Sequence, residues 1–229
     1  MSRRTWVLFC AALCLVAIFT TGCGSSSSSS GGTKLRLVNG TPDEAGLDLL
    51  VDTKSVATNV GYGAASAYVS VQPGSRELQV EPSGNPTILF TTTVNPSAGS
   101  NLTLVTLNFS FNISNVVLVD DNSAPTSGNF KLRIFNASPG MGPQDVYIVT
   151  AGTDITTVEP TFTSLGFGSD SVYSSLTAGD YQVVFTSPGS KFINLDSGTL
   201  TFTAGQVRTV LGLNNPAGGF LSTVLADVN

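Results

Sequence analysis

Two stretches decide the fold. Lys34-Leu-Arg-Leu-Val-Asn-Gly-Thr-Pro42 aligns with Lys131-Leu-Arg-Ile-Phe-Asn-Ala-Ser-Pro139 at a constant spacing of 97 residues, and the alignment runs without gaps to Val51 and Ile148. A second block, Val60 to Val80 against Leu165 to Phe185, keeps a spacing of 105 and pairs Gly61 with Gly166, Gly63 with Gly168, Tyr68 with Tyr173 and Gly74 with Gly179. The change of spacing places an eight-residue insertion in the second copy, around Ala151 to Pro160. Near the ends, Ala98-Gly99 aligns with Ala204-Gly205, and Asp121 with Asp227. Fixed-spacing self-similarity is the signature of a repeated structural unit.

Each copy reads as short strands. In Lys34 to Val38, Leu35 and Leu37 fall on one face and Lys34, Arg36 and Val38 on the other, and Asn39-Gly40-Thr41-Pro42 then breaks the strand. Ala67 to Val71 and Arg76 to Glu81 flank Pro73-Gly74 and read as a hairpin. No helical period extends over eleven residues past the N-terminal segment. About seven turn-punctuated strands per copy predict an all-β fold of two tandem immunoglobulin-like β-sandwich domains, 34–121 and 130–229, joined by a linker at 122–129.

Ahead of them, Arg3 and Arg4 precede an apolar run from Trp6 to Phe19, the layout of a secretory signal peptide over residues 1–22. The run is too short for a membrane span, which needs about 20 residues. Gly22 before Cys23 resembles the bacterial lipobox, in which the cysteine is acylated, with Thr20 standing where that motif carries Leu. Cys23 is therefore the expected lipidation site. Cys10 and Cys14 leave with the signal, so the exported part holds no intrachain disulfide. Residues 23–33, with six consecutive serines from Ser25 to Ser30, read as a flexible tether. The expected location is the bacterial envelope, lipid-anchored, at the outer membrane.

Composition restricts the chemistry. With 10 Lys+Arg against 15 Asp+Glu the formal charge is -5, which disfavours nucleic acid as a partner. Histidine is absent, which removes the commonest general base and metal ligand. Aromatics at 8% and short strands disfavour a transmembrane β-barrel.

The second copy carries Asn136-Ala-Ser-Pro139, Asp145-Val-Tyr-Ile148, Phe167-Gly168 leading to Tyr173, and Gly179-Asp-Tyr181. The first has Asn39-Gly-Thr-Pro42, Asp48-Leu-Leu-Val51, Tyr62-Gly63 leading to Tyr68, but Gly74-Ser-Arg76 in place of the last motif. This set resembles DUF4397, a domain family of exported bacterial proteins. The resemblance implies a position behind a signal or lipoprotein peptide and brings no catalytic residue.

Among candidate sites, Asp43, Glu44, Asp48 and Asp52 form the densest acidic cluster. Only Asp48 has a counterpart, Asp145, so backbone capping is expected rather than calcium binding. Asn39 and Asn136 suit turn capping, and Gly61, Gly63, Gly166 and Gly168 suit bends or bulges rather than a phosphate loop. Tyr62, Tyr68, Tyr147, Tyr173 and Phe167 suit packing, with a sugar-binding platform as the alternative. A Ser–Lys catalytic pair would draw on Lys34, Lys54, Lys131 or Lys191, of which Lys34 and Lys131 read as solvated strand ends. The expectation is a non-catalytic envelope lipoprotein with no cofactor, metal or catalytic residue. It would be membrane-anchored at Cys23 and act as a surface-displayed binding, adhesion or structural module with a protein or glycan ligand. The alternatives are a periplasmic module docking by strand addition and a hydrolase.

Overall fold

The computed structural model describes residues 32–228. The signal peptide, Cys23 and the tether up to residue 31 lie outside the described residues. The chain forms seventeen strands in four sheets, with two short 3-10 turns at Ser110–Asn112 and Ile155–Thr157 among the described residues.

Residues 34–119 supply two sheets. β1 (Lys34–Asn39) lies between β4 (Val69–Ser70) and β7 (Asn101–Leu107), and β8 (Ser114–Val119) completes the order β4-β1-β7-β8. β2 (Gly46–Val51), β3 (Lys54–Gly61), β5 (Arg76–Pro82) and β6 (Phe90–Val94) form β3-β2-β5-β6. Residues 129–228 repeat the first order with β9 (Asn129–Asn136), β12 (Ser174–Thr177), β16 (Val207–Asn214) and β17 (Phe220–Val228) as β12-β9-β16-β17. Their second sheet runs β11-β10-β13-β14, from β10 (Gln144–Thr150), β11 (Phe162–Leu165), β13 (Gly179–Thr186) and β14 (Ile193–Asp196), with β15 (Leu200–Phe202) also on β13. The fold is all-β and sandwich-like, as the strand spacing predicts. Its central pairs, β1–β7 and β9–β16, are parallel. The expected hairpin across Pro73-Gly74 is not formed. β4 pairs with β1 and β5 with β2, so this turn carries the chain from one sheet to the other.

Two cores fill the sandwiches. Leu35, Leu37, Leu47, Leu49, Leu78, Leu102 and Leu104 build the first. Phe130, Leu132, Ile134, Val146, Val183 and Phe185 build the second, with Phe130 stacked on Phe202 at 4.5 Å. A third core joins the halves: Val38, Val105, Leu107 and Leu118 pack with Phe135, Leu211, Leu213 and Leu225. The β1 and β9 sheets therefore face each other, and their central strands are buried on both sides. Polar residues on the alternate face, Arg36, Thr103, Arg133 and Thr209, are consequently enclosed as well.

The halves run in the same direction. Arg36, near the start of β1, reaches Asp227 beside the start of β16, and Tyr62 at the other end donates to the Asn214 carbonyl at 2.7 Å. Asn39 and Asn136 end β1 and β9 in the same way. Each side-chain oxygen accepts from the backbone N–H two residues on, and each amide donates to two carbonyls, Glu44 and Val60 or Gly142 and Leu165.

Candidate functional site

Between the halves lies a closed ring of six buried polar side chains. Arg36 Nε donates to Thr103 Oγ1 at 2.7 Å, and Thr103 donates to Asp120 Oδ2 at 2.6 Å. Asp120 Oδ1 accepts from Arg133 Nη2 at 2.6 Å. Arg133 Nε donates to Thr209 Oγ1 at 3.2 Å, Thr209 to Asp227 Oδ2 at 2.7 Å, and Asp227 Oδ1 accepts from Arg36 Nη2, closing the circuit. Each arginine thus pairs with an aspartate of the other half. Both arginine side chains are 1% exposed and both aspartates 0%. Tyr68 lies against Arg36, with the guanidinium carbon 4.6 Å from its ring centre, and donates to Asp120 at 2.6 Å. Tyr173 does the same for Arg133, at 4.8 Å, and for Asp227, at 3.1 Å. Two cations and two anions are neutralised internally, so the ring acts as a clamp. The structural counterpart of Asp227 is Asp120, one residue from the sequence alignment's Asp121. Asp121 instead takes Lys131 Nζ at 2.7 Å. That hydrogen bond, followed by one from Ser123, lowers the Asp121 carboxyl to about 2. Lys131 is accordingly buried, not a solvated strand end.

The predicted aromatic set is dispersed by the fold. Tyr62 and Phe167 pack into the core between the halves, and Tyr68 and Tyr173 flank the ring. Gly63 and Gly168 adopt positive φ of 72° and 70° and press against the opposite half, where an added Cβ would come within 3.2 Å of Leu213 or 3.4 Å of Leu107. Burial pushes the Tyr62 and Tyr68 phenols up to about 12, and burial followed by the Asp227 charge raises Tyr173. The native junction therefore holds these protons more tightly than the unfolded chain, whose tyrosines ionise near 10. Its stabilisation is complete below pH 10 and lost as pH rises through about 12. Melting temperature is expected to fall over that window, with a shallower fall in Tyr68→Phe, as a thermal melt series from pH 8 to 12 would record.

The acidic cluster does not converge either. Asp43 accepts from Ser110 N at 2.9 Å and Ser110 Oγ at 2.7 Å, and Asp52 pairs with Arg76 at 2.7 Å. Burial first and Asp43 second raise the Glu44 carboxyl. Asp48 accepts from Asn59 N at 2.7 Å and Asp145 from Ser164 N at 2.8 Å, each capping a bulged residue of positive φ. Among the described residues no three His, Cys, Asp or Glu side chains group as metal ligands.

The insertion in the second half lays Ile155 and Val158 over Tyr147 and Val184, on the outer face of the β10 sheet. Beside it lies a cleft of about 520 Å³ lined by Tyr147, Glu159, Ser164, Ser190 and Lys191. Lys191 Nζ donates to Tyr147 Oη at 3.0 Å and to the Val158 carbonyl, while Ser190 Oγ accepts from Phe192 N at 3.0 Å. Tyr147 itself is 2% exposed. Lysine and serine thus share the cleft with separate partners, without the hydrogen bond that nucleophile activation requires.

Among the described residues the large exposed apolar side chains are unevenly placed, with Val119 at the Lys34 end of the first half, Val172 ahead of β12, and the other five at the far end. Lys34 pairs with Asn101 at one end of the β1–β7 ladder, and Phe109 and Phe111 follow β7 at the opposite end. Ile88 and Phe192, in loops, and Ile193, which opens β14, lie at that same far end, by the Val80–Phe90 and Asp145–Thr186 pairs. Phe111 is 86% exposed, and its ring lies within 14° of parallel to Phe109, 5.9 Å away. The Ser110 bonds to Asp43 fix the turn that carries both rings. In the sequence this pair is marked only by Phe109-Ser110-Phe111 in an otherwise polar turn.

The profile of the family described as "Domain of unknown function (DUF4397)" matches residues 33–147. No curated protein matches the sequence. Among solved structures the chain is similar to an alpha-glucan-binding streptococcal virulence factor, at 9% identity over 78% of this chain and 92% of that one, with a TM-score of 0.25. It is also similar to family 41 carbohydrate-binding modules from streptococcal virulence factors, at 10% identity, 83% and 96% coverage and a TM-score of 0.27. A third is the family 26 module CBMbc of Eubacterium rectale Amy13K in complex with maltoheptaose, at 12% identity, 86% and 97% coverage and a TM-score of 0.25. Likeness at this level carries no argument about ligand.

Proposed function

We propose that this chain, which belongs to the DUF4397 family of domains of unknown function, is a non-catalytic envelope lipoprotein that binds glycan through the end bearing Phe109 and Phe111. In this reading an acylated Cys23 and the tether over 23–33 hold two sandwich units, 34–121 and 130–229, away from the membrane. The ring clamp between the units makes them one stiff body rather than two beads on the linker 122–129.

The supporting observation is that five of the seven large exposed apolar side chains among the described residues lie at the end remote from Lys34, where the tether joins. Two near-parallel rings held by the Asp43–Ser110 contact are preorganised, which lowers the ordering cost of binding. Beside them stand the carboxylates of Asp43 and Glu44. An apolar surface with carboxylate acceptors suits a ligand offering both C–H faces and hydroxyl donors, which is the chemistry of a pyranose chain.

Binding to a panel of immobilised polysaccharides tests this. Phe111→Ala is expected to weaken retention by about 2 kcal/mol, roughly thirtyfold in Kd, as loss of an aromatic anchor does. Absence of binding by the unaltered protein to every glycan, with capture of a protein ligand instead, would overturn it. The anchor is tested separately by intact mass of the membrane-extracted chain and protease shaving of whole cells. A mass beginning at Cys23 with acyl chains, lost on shaving, is the expected result.

A further inference from the structure

A sheet edge offers unpaired N–H and C=O groups to another chain, and proteins ordinarily blunt such edges with charge, bulges or shortness. Six of the edges here follow that rule, β12 by being only four residues long. β3 begins with Lys54, shifts register twice against β2 and holds Asn59 at a φ of 53°. β11 is four residues long, with a register shift and Ser164 at a φ of 52°. β14 ends on Asp196 and lies beyond a shift in β13. β15 has three residues. β4 has two, and ahead of it Ser66 Oγ occupies the Leu37 N–H where a ladder carbonyl would stand. β8 and β17 are flanked instead by the opposite half, Val119 by residues 170–173 and residues 223–226 by residues 63–67.

β6 has none of these protections. Its five residues, Phe-Thr-Thr-Thr-Val, pair with β5 in unbroken register from Arg76–Val94 to Val80–Phe90. From Ile88 to Val94 the segment is aromatic, branched at Cβ or leucine, with no charge and no proline, and Pro86 and Pro96 bound it. Such a window is the sequence signature of a strand that pairs with another copy of itself.

We infer that β6 is a self-pairing edge through which two copies of this chain join, antiparallel and centred on Thr92. About that centre the strand is self-complementary. Thr92 meets Thr92, Thr91 meets Thr93, and Phe90 meets Val94, which are hydroxyl and aromatic–branched pairs of the favourable kind. The burial pattern agrees with the geometry. Phe90, Thr92 and Val94 turn inward and Thr91 and Thr93 are exposed, so a two-fold axis normal to the sheet keeps both inward rows on the core side. The two β3-β2-β5-β6 sheets would then form one continuous eight-stranded sheet. An edge of five residues buries little surface, so the dimer is weak and concentration-dependent. This inference is independent of the ligand reading, and the Phe109–Phe111 turn is not part of the edge.

Sedimentation equilibrium of the full chain, in detergent giving many micelles per chain, tests it. The unaltered protein is expected to move from monomer towards dimer as concentration rises. Thr91→Lys with Thr93→Lys sets like charges opposite one another at both outward positions and is expected to abolish the shift. Thr91→Lys with Thr93→Glu sets opposite charges across the same pairs and is expected to restore it. This second variant also separates edge repulsion from a general effect of substitution. A protein monomeric at all concentrations, a double-lysine variant that dimerises as the parent does, or a Lys/Glu variant that stays monomeric would each overturn the proposal.

Discussion

Asp120→Ala is expected to cost about 3–5 kcal/mol of unfolding free energy, the range for leaving a buried charge without its partner. The carboxylate accepts three hydrogen bonds, from Arg133 Nη2, Tyr68 Oη and Thr103 Oγ1, each at 2.6 Å. Removing it strands the Arg133 guanidinium between the halves. Its other contacts there are the Tyr173 ring, Thr209, the Val119 carbonyl at 3.4 Å and Asp170 at 3.7 Å. Replacing both partners, Asp120→Leu with Arg133→Met, should cost far less, because desolvating two ions offsets most of what their pairing returns. Asp52→Ala, which breaks the exposed pair with Arg76, should stay within about 1 kcal/mol. Urea unfolding of the three variants decides the matter. A loss under about 1 kcal/mol for Asp120→Ala would mean that water reaches the ring and that the halves are not clamped by it.

Gly40→Ala is expected to destabilise the chain by about 3 kcal/mol, at the upper end for overpacking. A Cβ built there would lie 2.3 Å from the Thr106 carbonyl oxygen, a backbone atom with little freedom to retreat. The second half carries alanine at the equivalent Ala137, and the difference lies in the partner strand. Ala137 N donates to the Gly212 carbonyl at 2.9 Å, whereas Gly40 N donates to the Thr106 hydroxyl at 3.1 Å. With the hydroxyl as acceptor, the Thr106 carbonyl is left against the Gly40 α-carbon. Adding Thr106→Gly to Gly40→Ala recreates the second half's pairing, so the double variant should be less destabilised than the sum of the singles. Strict additivity in thermal or urea unfolding would refute this account of the clash.

The family matched over residues 33–147 ends inside the second half, after β9 and into β10. The matched span therefore includes Arg133 as well as Arg36 and Asp120, but stops short of Thr209 and Asp227. The ring closes only with strands β16 and β17, which places the clamp in the whole chain rather than in the matched segment.

Local chemistry was legible in the sequence wherever a residue answers to its near neighbours. The all-β character followed from period-two runs broken by Asn, Gly and Pro. The turn role of Asn39 and Asn136 followed from side-chain oxygens placed next to backbone donors, whereas Asp48 and Asp145, expected to serve donors at their own strand starts, cap Asn59 and Ser164 in the neighbouring strands. The spacing change located the insertion that covers Tyr147. The face-to-face packing of the β1 and β9 sheets was not legible. Alternation marks which residues share a face without saying whether a second layer covers that face, so Lys131 reads as a solvated strand end when it is enclosed, and nothing in the sequence marks Arg36 as buried. Pairing across the halves lay beyond the sequence for the same reason, since Arg36 meets Asp227 at a separation of 191 residues. The sequence by itself determined strands, turns and repetition, which depend on local backbone preference. Tertiary structure decided which polar residues become a buried ring and which aromatics remain outside, because burial belongs to the surfaces that come together.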